Sequence, residues 1–328
     1  MACVRVEGVT WGDFMICTYV DLDAGRKARL LLFLKASGNP LLPAGEAEME
    51  RLYGGAAFTQ GVTYWSYWRG GDPVATLGAV TEARDAKGEI YLTGICAAPG
   101  AFDALDALLQ TAELALRRWA PCRLKLGANA FVPGLPEWAE AKGFTFSYRL
   151  LAMRLGVAGC DRAPEREKGP GSATDARGDR NSPITWSPVT ADTAEAFRQV
   201  NNAAFLNSPN GGILDPESVG DLMTACGPHP ELLSLGLAEG VPVSALTLVR
   251  ESDGSGVIDG IAVHPDAQGR GFGRAALRQA VRTLRGLGCD PITLTVMDVN
   301  RPAVNLYLQE GFTVERVLSS WYEKAMPE

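Results

Sequence analysis

The chain has 328 residues, of which 46% are hydrophobic and 21% charged, and its formal net charge is -7 at pH 7. These values are typical of a globular protein with room for about two domains, and they exclude disordered and fibrous classes. No apolar run reaches the roughly 20 residues that span a bilayer, and the first residues lack a basic segment followed by an apolar one. We therefore expect a cytoplasmic location and no membrane partner.

The seven cysteines are odd in number and widely spaced, and the chain has two histidines, His229 and His264. Disulfide frameworks and zinc sites place cysteines and histidines in close, regular spacings. The sequence thus predicts neither a disulfide scaffold nor a metal site.

In the first half, residues 62–92 have the pattern of a strand, a turn and two further strands. The first of these strands contains an aromatic run, Tyr64, Trp65, Tyr67 and Trp68. We interpret this run as a strand core or a domain interface in preference to a ring-stacking wall of a cleft.

Residues 156–183 contain one large aliphatic side chain, Val157, among glycines, prolines, alanines and ten charged residues. Such a segment buries too little apolar surface to offset the entropy of ordering it. The sequence therefore predicts a first domain over 1–155, a flexible linker over 156–183 and a second domain over 184–328.

The second half carries the whole net charge, with 17 acidic and 10 basic residues from Ile184 onward. Five of those basic residues follow one glycine-rich stretch, so the remainder is strongly acidic. This balance disfavours a nucleic-acid partner and favours a cationic one.

The pattern over 231–263 predicts a strand, a tight turn at Glu239-Gly240, a second strand, and a third strand from about Val257 to Val263. The glycine-rich stretch follows, and then an amphipathic helix that ends at Gly286 and Gly288. A loop between a strand and a helix N-terminus can hold a phosphate through unpaired backbone N–H groups.

The spacing of Gly269, Gly271 and Gly273 matches neither a dinucleotide fingerprint nor a Walker loop. Further along, residues 292–312 predict a strand, a short helix with Asn300 and Tyr307, and a Gly-Phe pair that leads into a last hairpin. Gln268, Gly271 and Gly273 resemble the acetyl-CoA loop of the GNAT acetyltransferases, and Asn300, Ala303, Leu306, Tyr307, Gly311 and Phe312 resemble the second signature of that family.

The resemblance implies an α/β fold with a mixed, mostly antiparallel twisted sheet flanked by helices. It also implies acetyl-CoA as co-substrate, with no metal, and transfer of an acetyl group to a primary amine by direct attack in a ternary complex. The residues implied for acetyl-CoA binding are Ile261, Ala262, Val263, Gln268, Gly269, Arg270, Gly271, Phe272, Gly273, Arg274, Asn300 and Tyr307.

Within this resemblance, the backbone N–H near Val263 stabilises the oxyanion, and Tyr307 is the acid that protonates the leaving sulfur. Asn300 either binds the cofactor or caps its helix. Asp259 is the candidate base, on the same strand face as Ile261 and Val263 by two-residue alternation; ordered water, Glu217 and Glu239 are alternatives. His264 is expected to be exposed.

Sliding the chain by 168 residues superposes residues 125–144 on 293–312 without a gap, which predicts a second GNAT-like domain in the first half. The loop after Pro99 lacks the glycines, and Thr93, Val132 and Ala139 replace the residues that match the family. We therefore expect this degenerate domain to keep the fold without binding acetyl-CoA in the usual way.

Tandem GNAT chains of this length resemble the mycothiol synthase family, although the glycine-free loop of the first domain departs from that family's pattern. The acceptor is expected to be a small, cationic amine. The residues expected to line its cleft are Asn201, Phe205, Pro209 and Asn210. Alternative functions are mycothiol synthesis itself, acetylation of protein or peptide amines, and a silent CoA sensor; the presence of Asn300 and Tyr307 argues against the last.

Overall fold

A computed structural model describes residues 14–40, 42–82, 84–156, 184–206, 208 and 213–327. The chain divides into two units, Met1–Leu150 with Leu318–Glu328, and Leu151–Val317. Most of the predicted linker, 157–183, lies outside the described residues. The division differs from the predicted boundaries because the last strand of the chain pairs within the first unit.

Within the described residues, the strands are β1 (Phe14–Thr18), β2 (Tyr64–Arg69), β3 (Asp72–Val80), β4 (Glu89–Ala97), β5 (Cys122–Asn129), β6 (Thr145–Leu155), β7 (Ile184–Pro188), β8 (Leu233–Ala238), β9 (Val241–Arg250), β10 (Gly256–Val263), β11 (Ile292–Met297) and β12 (Phe312–Met326). The helices are α1 (Ala24–Ala36), α2 (Glu46–Tyr53), α3 (Arg84–Lys87), α4 (Phe102–Leu116), α5 (Leu135–Ala141), α6 (Ala194–Phe205), α7 (Pro216–Ala225), α8 (Phe272–Gly286) and α9 (Arg301–Gln309).

The sheet of the first unit has the order β1-β2-β3-β4-β5, followed by the end of β12. Every pair among these strands is antiparallel except β4 with β5. One face of the sheet packs against α4, where Leu105 and Leu108 are fully buried, and the other face packs against α1 and α2, where Leu30 and Met49 are buried. The aromatic run in β2 is part of these cores, as expected.

The second unit repeats this plan. Its sheet has the order β7-β8-β9-β10-β11, with the end of β6 beside β11. The pair β10 with β11 is parallel, and the β7–β8, β8–β9 and β9–β10 pairs are antiparallel. The α8 side chains Leu277 and Leu284 are buried on one face, and Phe197 of α6 is buried on the other. The predicted α/β class with two mostly antiparallel, helix-flanked sheets is therefore confirmed.

Local sequence explains how this sheet is connected. Glu239 and Gly240 both have positive φ, +53° and +80°, so they form the predicted tight turn between β8 and β9. Gly271 precedes α8, which ends at Gly286 as the pattern predicts. The hairpin predicted after Phe312 is wrong, because β12 is one strand of 15 residues that continues to Met326.

A bulge interrupts the same strand in both units. In β10 the register with β9 shifts between Ile258 and Gly260. In β4 the register with β3 shifts beside Gly94, which has a φ of +62°. The repeated fold predicted from the internal sequence match is thus confirmed down to this irregularity. Among the helices of the described residues, none combines the length and apolar character that crossing a bilayer takes.

Candidate active site

A gap opens between β10 and β11 in the second unit. Their parallel ladder covers Gly256–Ile258 and Ile292–Leu294, whereas β10 runs on to Val263. The bulge after Ile258 lies where this ladder ends. A bulge bends its strand and increases the local twist, so it separates the two strands beyond this point.

Backbone groups of β10 point into that gap. The His264 N–H donates to the Val243 carbonyl oxygen at 2.9 Å, which identifies their pair as hydrogen-bonded in the β9–β10 ladder. Hydrogen-bonded and non-bonded pairs alternate in antiparallel sheets. The peptide groups of Ile261 and Val263 therefore face away from β9, and Gln268 Nε2 reaches the Val263 carbonyl oxygen at 3.1 Å.

Ala262 differs from these two neighbours. Its carbonyl oxygen accepts a hydrogen bond from Ser244 Oγ at 2.7 Å, and its methyl group is buried in the core beneath α6. A cofactor in the gap would thus meet the peptide groups of Ile261 and Val263, with Ala262 as the spacer between them.

The glycine loop follows directly. Gly269 and Gly271 have φ values of +74° and +87°, in the left-handed region that favours glycine. In the described part of the chain, the backbone N–H groups of residues 269–273 donate to no backbone acceptor. These N–H groups and the positive end of the α8 dipole together form a site that attracts an anion.

The side chains around this loop divide into buried and charged groups. The Phe272 ring is buried, so that residue offers only its backbone to a ligand. The Arg270 guanidinium lies 4.9 Å from the Phe272 ring centroid. Arg274 forms an ion pair with Glu310 at 3.1 Å and also contacts Gln309. Glu310 therefore offsets part of the positive charge that Arg274 was expected to offer to a phosphate.

The helix α9 brings the second signature to this loop. Leu306 Cδ2 lies 3.6 Å from the position that a Cβ atom on Gly273 would take. Asn300 Oδ1 accepts the Ala303 N–H at 3.3 Å, which makes Asn300 the N-cap of α9. Of the two roles that the sequence leaves open for Asn300, the structure shows the cap.

Tyr307 packs against the core beneath α8, with its ring centroid 6.0 Å from that of Phe312. Burial raises the pKa of the Tyr307 phenol to about 12, because the phenolate would lose its hydration. The phenol is therefore neutral throughout the ordinary pH range.

Asp259 lies apart from Ile261. Because the bulge falls at Asp259, Ile258 and Ile261 both pack against the core beneath α8, whereas Asp259 is exposed at a cavity that it lines with Cys226 and Thr247. The predicted common face of Asp259 and Ile261 is therefore wrong: the extra residue of the bulge shifts the alternation. The cavity has a volume of about 390 Å³.

His229 lines the same cavity and is a candidate that the sequence did not identify as a proton-transfer group. Its Nδ1 lies 3.3 Å from Glu231 Oε1. The position of His229 between α7 and β8 carries no periodic signal, so its place in the cavity that Asp259 also lines comes from the fold alone. His264 instead accepts the Asp266 N–H at 3.4 Å through its own Nδ1 and is partly exposed.

The structure describes two of the four residues that were predicted to line the acceptor cleft. Asn201 is 8% exposed, and Phe205 packs against the core between α6 and α7. Pro209 and Asn210 lie outside the described residues. Asn202, which the sequence analysis did not single out, accepts the Leu214 N–H at 2.9 Å and donates to the Leu214 carbonyl oxygen at 2.8 Å.

The positions of the first unit that correspond to the second signature are structural. Val132 and Ala139, which superpose on Asn300 and Tyr307 in the sequence repeat, are both buried in the apolar core. Among the described residues of either unit, no group of three or more His, Cys, Asp and Glu side chains is arranged to hold a metal ion.

Residues 203–312 match the model of the Acetyltransferase (GNAT) family. The fold resembles that of a GCN5-related N-acetyltransferase from Sphaerobacter thermophilus, with a TM-score of 0.65 and 18% identity over 96% of each chain. It also resembles a tandem GNAT protein from the clavulanic acid biosynthesis pathway, with a TM-score of 0.58 and 13% identity over 96% of this chain and 100% of the other. Residues 203–312 of the second unit thus match the GNAT family in sequence, and the fold is similar to that of GNAT proteins.

The chain is also similar in sequence to mycothiol acetyltransferases. It is 28% identical to the protein of Geodermatophilus obscurus over 206 residues, covering 60% of this chain and 63% of the relative. The identity to the protein of Thermobifida fusca is 30% over 210 residues, covering 57% of this chain and 64% of the relative. The chain thus spans less than two thirds of the length of these curated relatives.

Proposed function

We propose that the second unit transfers an acetyl group from acetyl-CoA to a primary amine of a small molecule, by direct attack in a ternary complex. The observation that carries this proposal is the continuous path of inward-facing backbone groups from Ile261 and Val263 to the N-terminus of α8. That path offers polar partners along its length and an anion site at its end.

Acetyl-CoA fits this path by its chemistry. Its pyrophosphate would be held by the N–H groups of residues 269–273, with Arg270 adding positive charge beside the loop. An amide of its pantetheine arm matches the Ile261 peptide group, which faces away from β9, as one additional strand would.

The reaction forms a C–N bond and breaks a C–S bond. As the amine attacks, the carbonyl oxygen gains negative charge, which the Val263 N–H is placed to stabilise. In this proposal the departing thiolate takes a proton from the neutral Tyr307 phenol, which is reprotonated from solvent afterwards. The amine loses its proton toward the cavity that holds Asp259 and His229.

We propose Asp259 as the group that receives this proton, directly or through water. Asp259 is exposed in the cavity, where His229 supplies a second acceptor of suitable chemistry. Glu251 also lines this cavity, so two carboxylates face it together with Arg250. This arrangement favours an acceptor that carries a positive charge besides the amine that reacts.

Acetyl transfer to a mycothiol precursor is the second candidate function. It is favoured by the similarity to the mycothiol acetyltransferases, at 28% identity to the Geodermatophilus protein and 30% to the Thermobifida protein. Both candidates use the same path for acetyl-CoA and differ in the amine that enters the cavity.

Thiol release from acetyl-CoA over a panel of amines tests the proposal. Diamines and amino sugars are expected to be acetylated faster than neutral amines, and Asp259→Asn is expected to lower kcat/KM for the best acceptor by about 10²-fold. Asp221→Asn, on the exposed surface of α7, is the matched control. Tight binding of acetyl-CoA without turnover of any amine would overturn the assignment as an enzyme, and a preference for peptides would overturn the small-molecule acceptor.

A further inference from the structure

His229 and Glu231 form a hydrogen-bonded pair beside the cavity of the second unit that Asp259 lines. His229 Nδ1 lies 3.3 Å from Glu231 Oε1. The His229 side of this pair lines the cavity, whereas Glu231 is not among the described residues that line it. Glu231 therefore acts on the cavity through the histidine ring.

A short turn with fixed backbone carries this pair. The His229 N–H donates to the Cys226 carbonyl oxygen at 3.0 Å, and the Glu231 carbonyl oxygen accepts a bond from Ser234 Oγ at 2.8 Å. Pro230, which separates the two residues, has its φ fixed by the ring. Because the backbone on both sides is held, the two side chains meet at a small cost in conformational entropy.

The pair gives each nitrogen of the ring a different role. An ionised carboxylate can only accept a hydrogen bond, so Nδ1 of the neutral ring carries its hydrogen toward Glu231. Nε2 then carries the lone pair, and it has no hydrogen-bond partner among the residues that the structure describes. Because the ring lines the cavity, this lone pair is available to a ligand there.

An amine that is a cation at neutral pH has two protons to lose during acetylation. The nitrogen must become neutral before it attacks, and it loses the second proton once the C–N bond has formed. Asp259, proposed above as the group that receives the amine's proton, accounts for one of these steps. The other step is left without an assigned group.

Ordinary pKa values show which kind of group suits which step. The pKa is about 10.4 for an alkylammonium, about 6.5 for histidine and about 3.9 for aspartate. An imidazole therefore accepts the ammonium proton more readily than a carboxylate does, by roughly 400-fold at equilibrium. After the C–N bond forms, the nitrogen is much more acidic, and a carboxylate is a sufficient base.

The other titratable groups of this cavity do not compete for the first proton. Burial raises the pKa of the Cys226 thiol, with the charge of Glu231 as a further cause, so the thiol stays protonated. Arg250 is a permanent cation, and Glu251 carries a carboxylate, the weaker kind of base. His229 supplies the imidazole among the described residues that line the cavity.

We propose that His229 takes the first proton from the ammonium group of the acceptor, and that Glu231 is the positioning residue that holds the ring for this step. An N–H bond of the ammonium breaks and an Nε2–H bond forms, which leaves a neutral amine and an imidazolium. Two protons thus leave the nitrogen in the whole reaction; the CoA thiolate gains one, and one is released to solvent. The proposal rests on the acetyl transfer proposed for this unit.

Acetylation of 1,3-diaminopropane as a function of pH tests the role of His229. His229→Gln should lower kcat/KM for the diamine by about 10²-fold at neutral pH. The loss should shrink to about threefold or less at about pH 10, where the reacting amine is largely neutral without a base. KM for acetyl-CoA should stay within about twofold, which shows that the variant is folded.

Variants of Glu231 separate positioning from a structural role. Glu231→Ala should lower kcat/KM about tenfold, and Glu231→Gln should restore most of it, because the amide oxygen can accept the Nδ1–H. In a His229→Gln background, Glu231→Ala should have no further effect, since the two residues act as one unit. Glu195→Ala is the matched control: it removes a carboxylate of α6 that pairs with Arg198 at 2.7 Å, and it should leave kcat/KM unchanged.

The possible failures can be told apart. A His229→Gln variant with no loss, or with an equal loss at neutral and high pH, would overturn the assignment of the ammonium proton to this ring. Additive losses from His229→Gln and Glu231→Ala would make Glu231 a structural residue. If the unsubstituted protein acetylates no amine at either pH, the acetyl transfer itself fails and the role of His229 fails with it.

Discussion

At the scale of single residues, Tyr307 connects burial to chemistry. Its hydroxyl belongs to a half-buried ring whose pKa is raised to about 12, above the usual tyrosine value of about 10. The raised value favours the neutral phenol, so the proton is retained as pH increases and is lost only near the folded-state pKa. Because Tyr307→Phe removes the proposed proton donor, it is expected to lower kcat by about 10²-fold and to leave KM for acetyl-CoA within about twofold.

Steady-state kinetics across pH measure this effect. In the unsubstituted protein, kcat should show no loss from Tyr307 titration up to about pH 10. Tyr91→Phe, which removes a hydroxyl that bonds to Glu89 at 2.6 Å in the first unit, is the control and should preserve kcat. A Tyr307→Phe variant with normal kcat would show that the phenol only packs against Phe312.

Some residues of the candidate site could be predicted from the sequence and others could not. Tyr307 and Gly271 belong to spaced signatures, so their positions could be predicted from the sequence. His229 and Asn202 belong to no pattern: the first reaches the cavity of Asp259 through a turn, and the second holds Leu214 across a loop. Contacts of this kind depend on the path of the backbone between elements, which local propensity does not determine.

At the scale of elements, the loop before α8 depends on its backbone conformation. Gly269 has a φ of +74°, and a Cβ atom there would meet no atom within 4 Å. A side chain at this position therefore acts through backbone strain alone, and a β-branched one is strained most. We expect Gly269→Val to raise KM for acetyl-CoA by about tenfold with a smaller change in kcat, because the phosphate-facing N–H groups would be displaced.

Two variants control this experiment. Gly269→Asn should raise KM less than Gly269→Val, since asparagine tolerates the left-handed conformation better than valine. Gly286→Ala lies at the opposite end of α8, where a Cβ atom also meets open space, and should leave KM unchanged. If the valine and asparagine variants behaved alike, conformational strain would not be the cause.

The elements of the second unit follow their patterns closely, apart from the hairpin predicted after Phe312 and one irregularity in β10. The third strand, predicted from about Val257 to Val263, spans Gly256–Val263, and the amphipathic helix ends at the predicted Gly286. The bulge at Asp259 was not predicted, because an inserted residue changes the alternation without changing the strand's composition. The bulge decides which face of the sheet Asp259 occupies, and therefore which groups its side chain can reach.

At the scale of the whole molecule, the internal repeat predicted two similar folds but not how the chain completes them. The segment Leu318–Glu328 belongs to the first unit, where β12 pairs with β5 from Ser319 to Met326. Pairing between segments about two hundred residues apart leaves no periodic signal in either one. It becomes visible only through the register that the folded chain adopts.

A buried ion pair connects β12 to β5. Lys125 of β5 is 3% exposed, and its ammonium group bonds to Glu323 of β12 and lies 3.6 Å from Glu89 of β4. The bond to Lys125 is the main cause that lowers the pKa of Glu323. Because the folded pKa is below the unfolded one, this stabilisation is present above the usual glutamate value of about 4.3 and is lost as pH falls through the folded value.

Lys125→Met is therefore expected to destabilise the first unit by about 2 kcal/mol at neutral pH, less than for a fully buried pair because Glu323 is partly exposed. Urea unfolding, with hydrogen exchange of β5 and β12, measures this loss. The difference from the unsubstituted protein should shrink in acid, where Glu323 is protonated in both. Lys324, the residue after Glu323, is half-exposed and pairs with Glu113. Lys324→Met should therefore lower the free energy of unfolding by less than about 1 kcal/mol. Equal losses from the two variants, or a Lys125→Met loss that persists in acid, would mean that side-chain packing and not the ion pair holds β12 against β5.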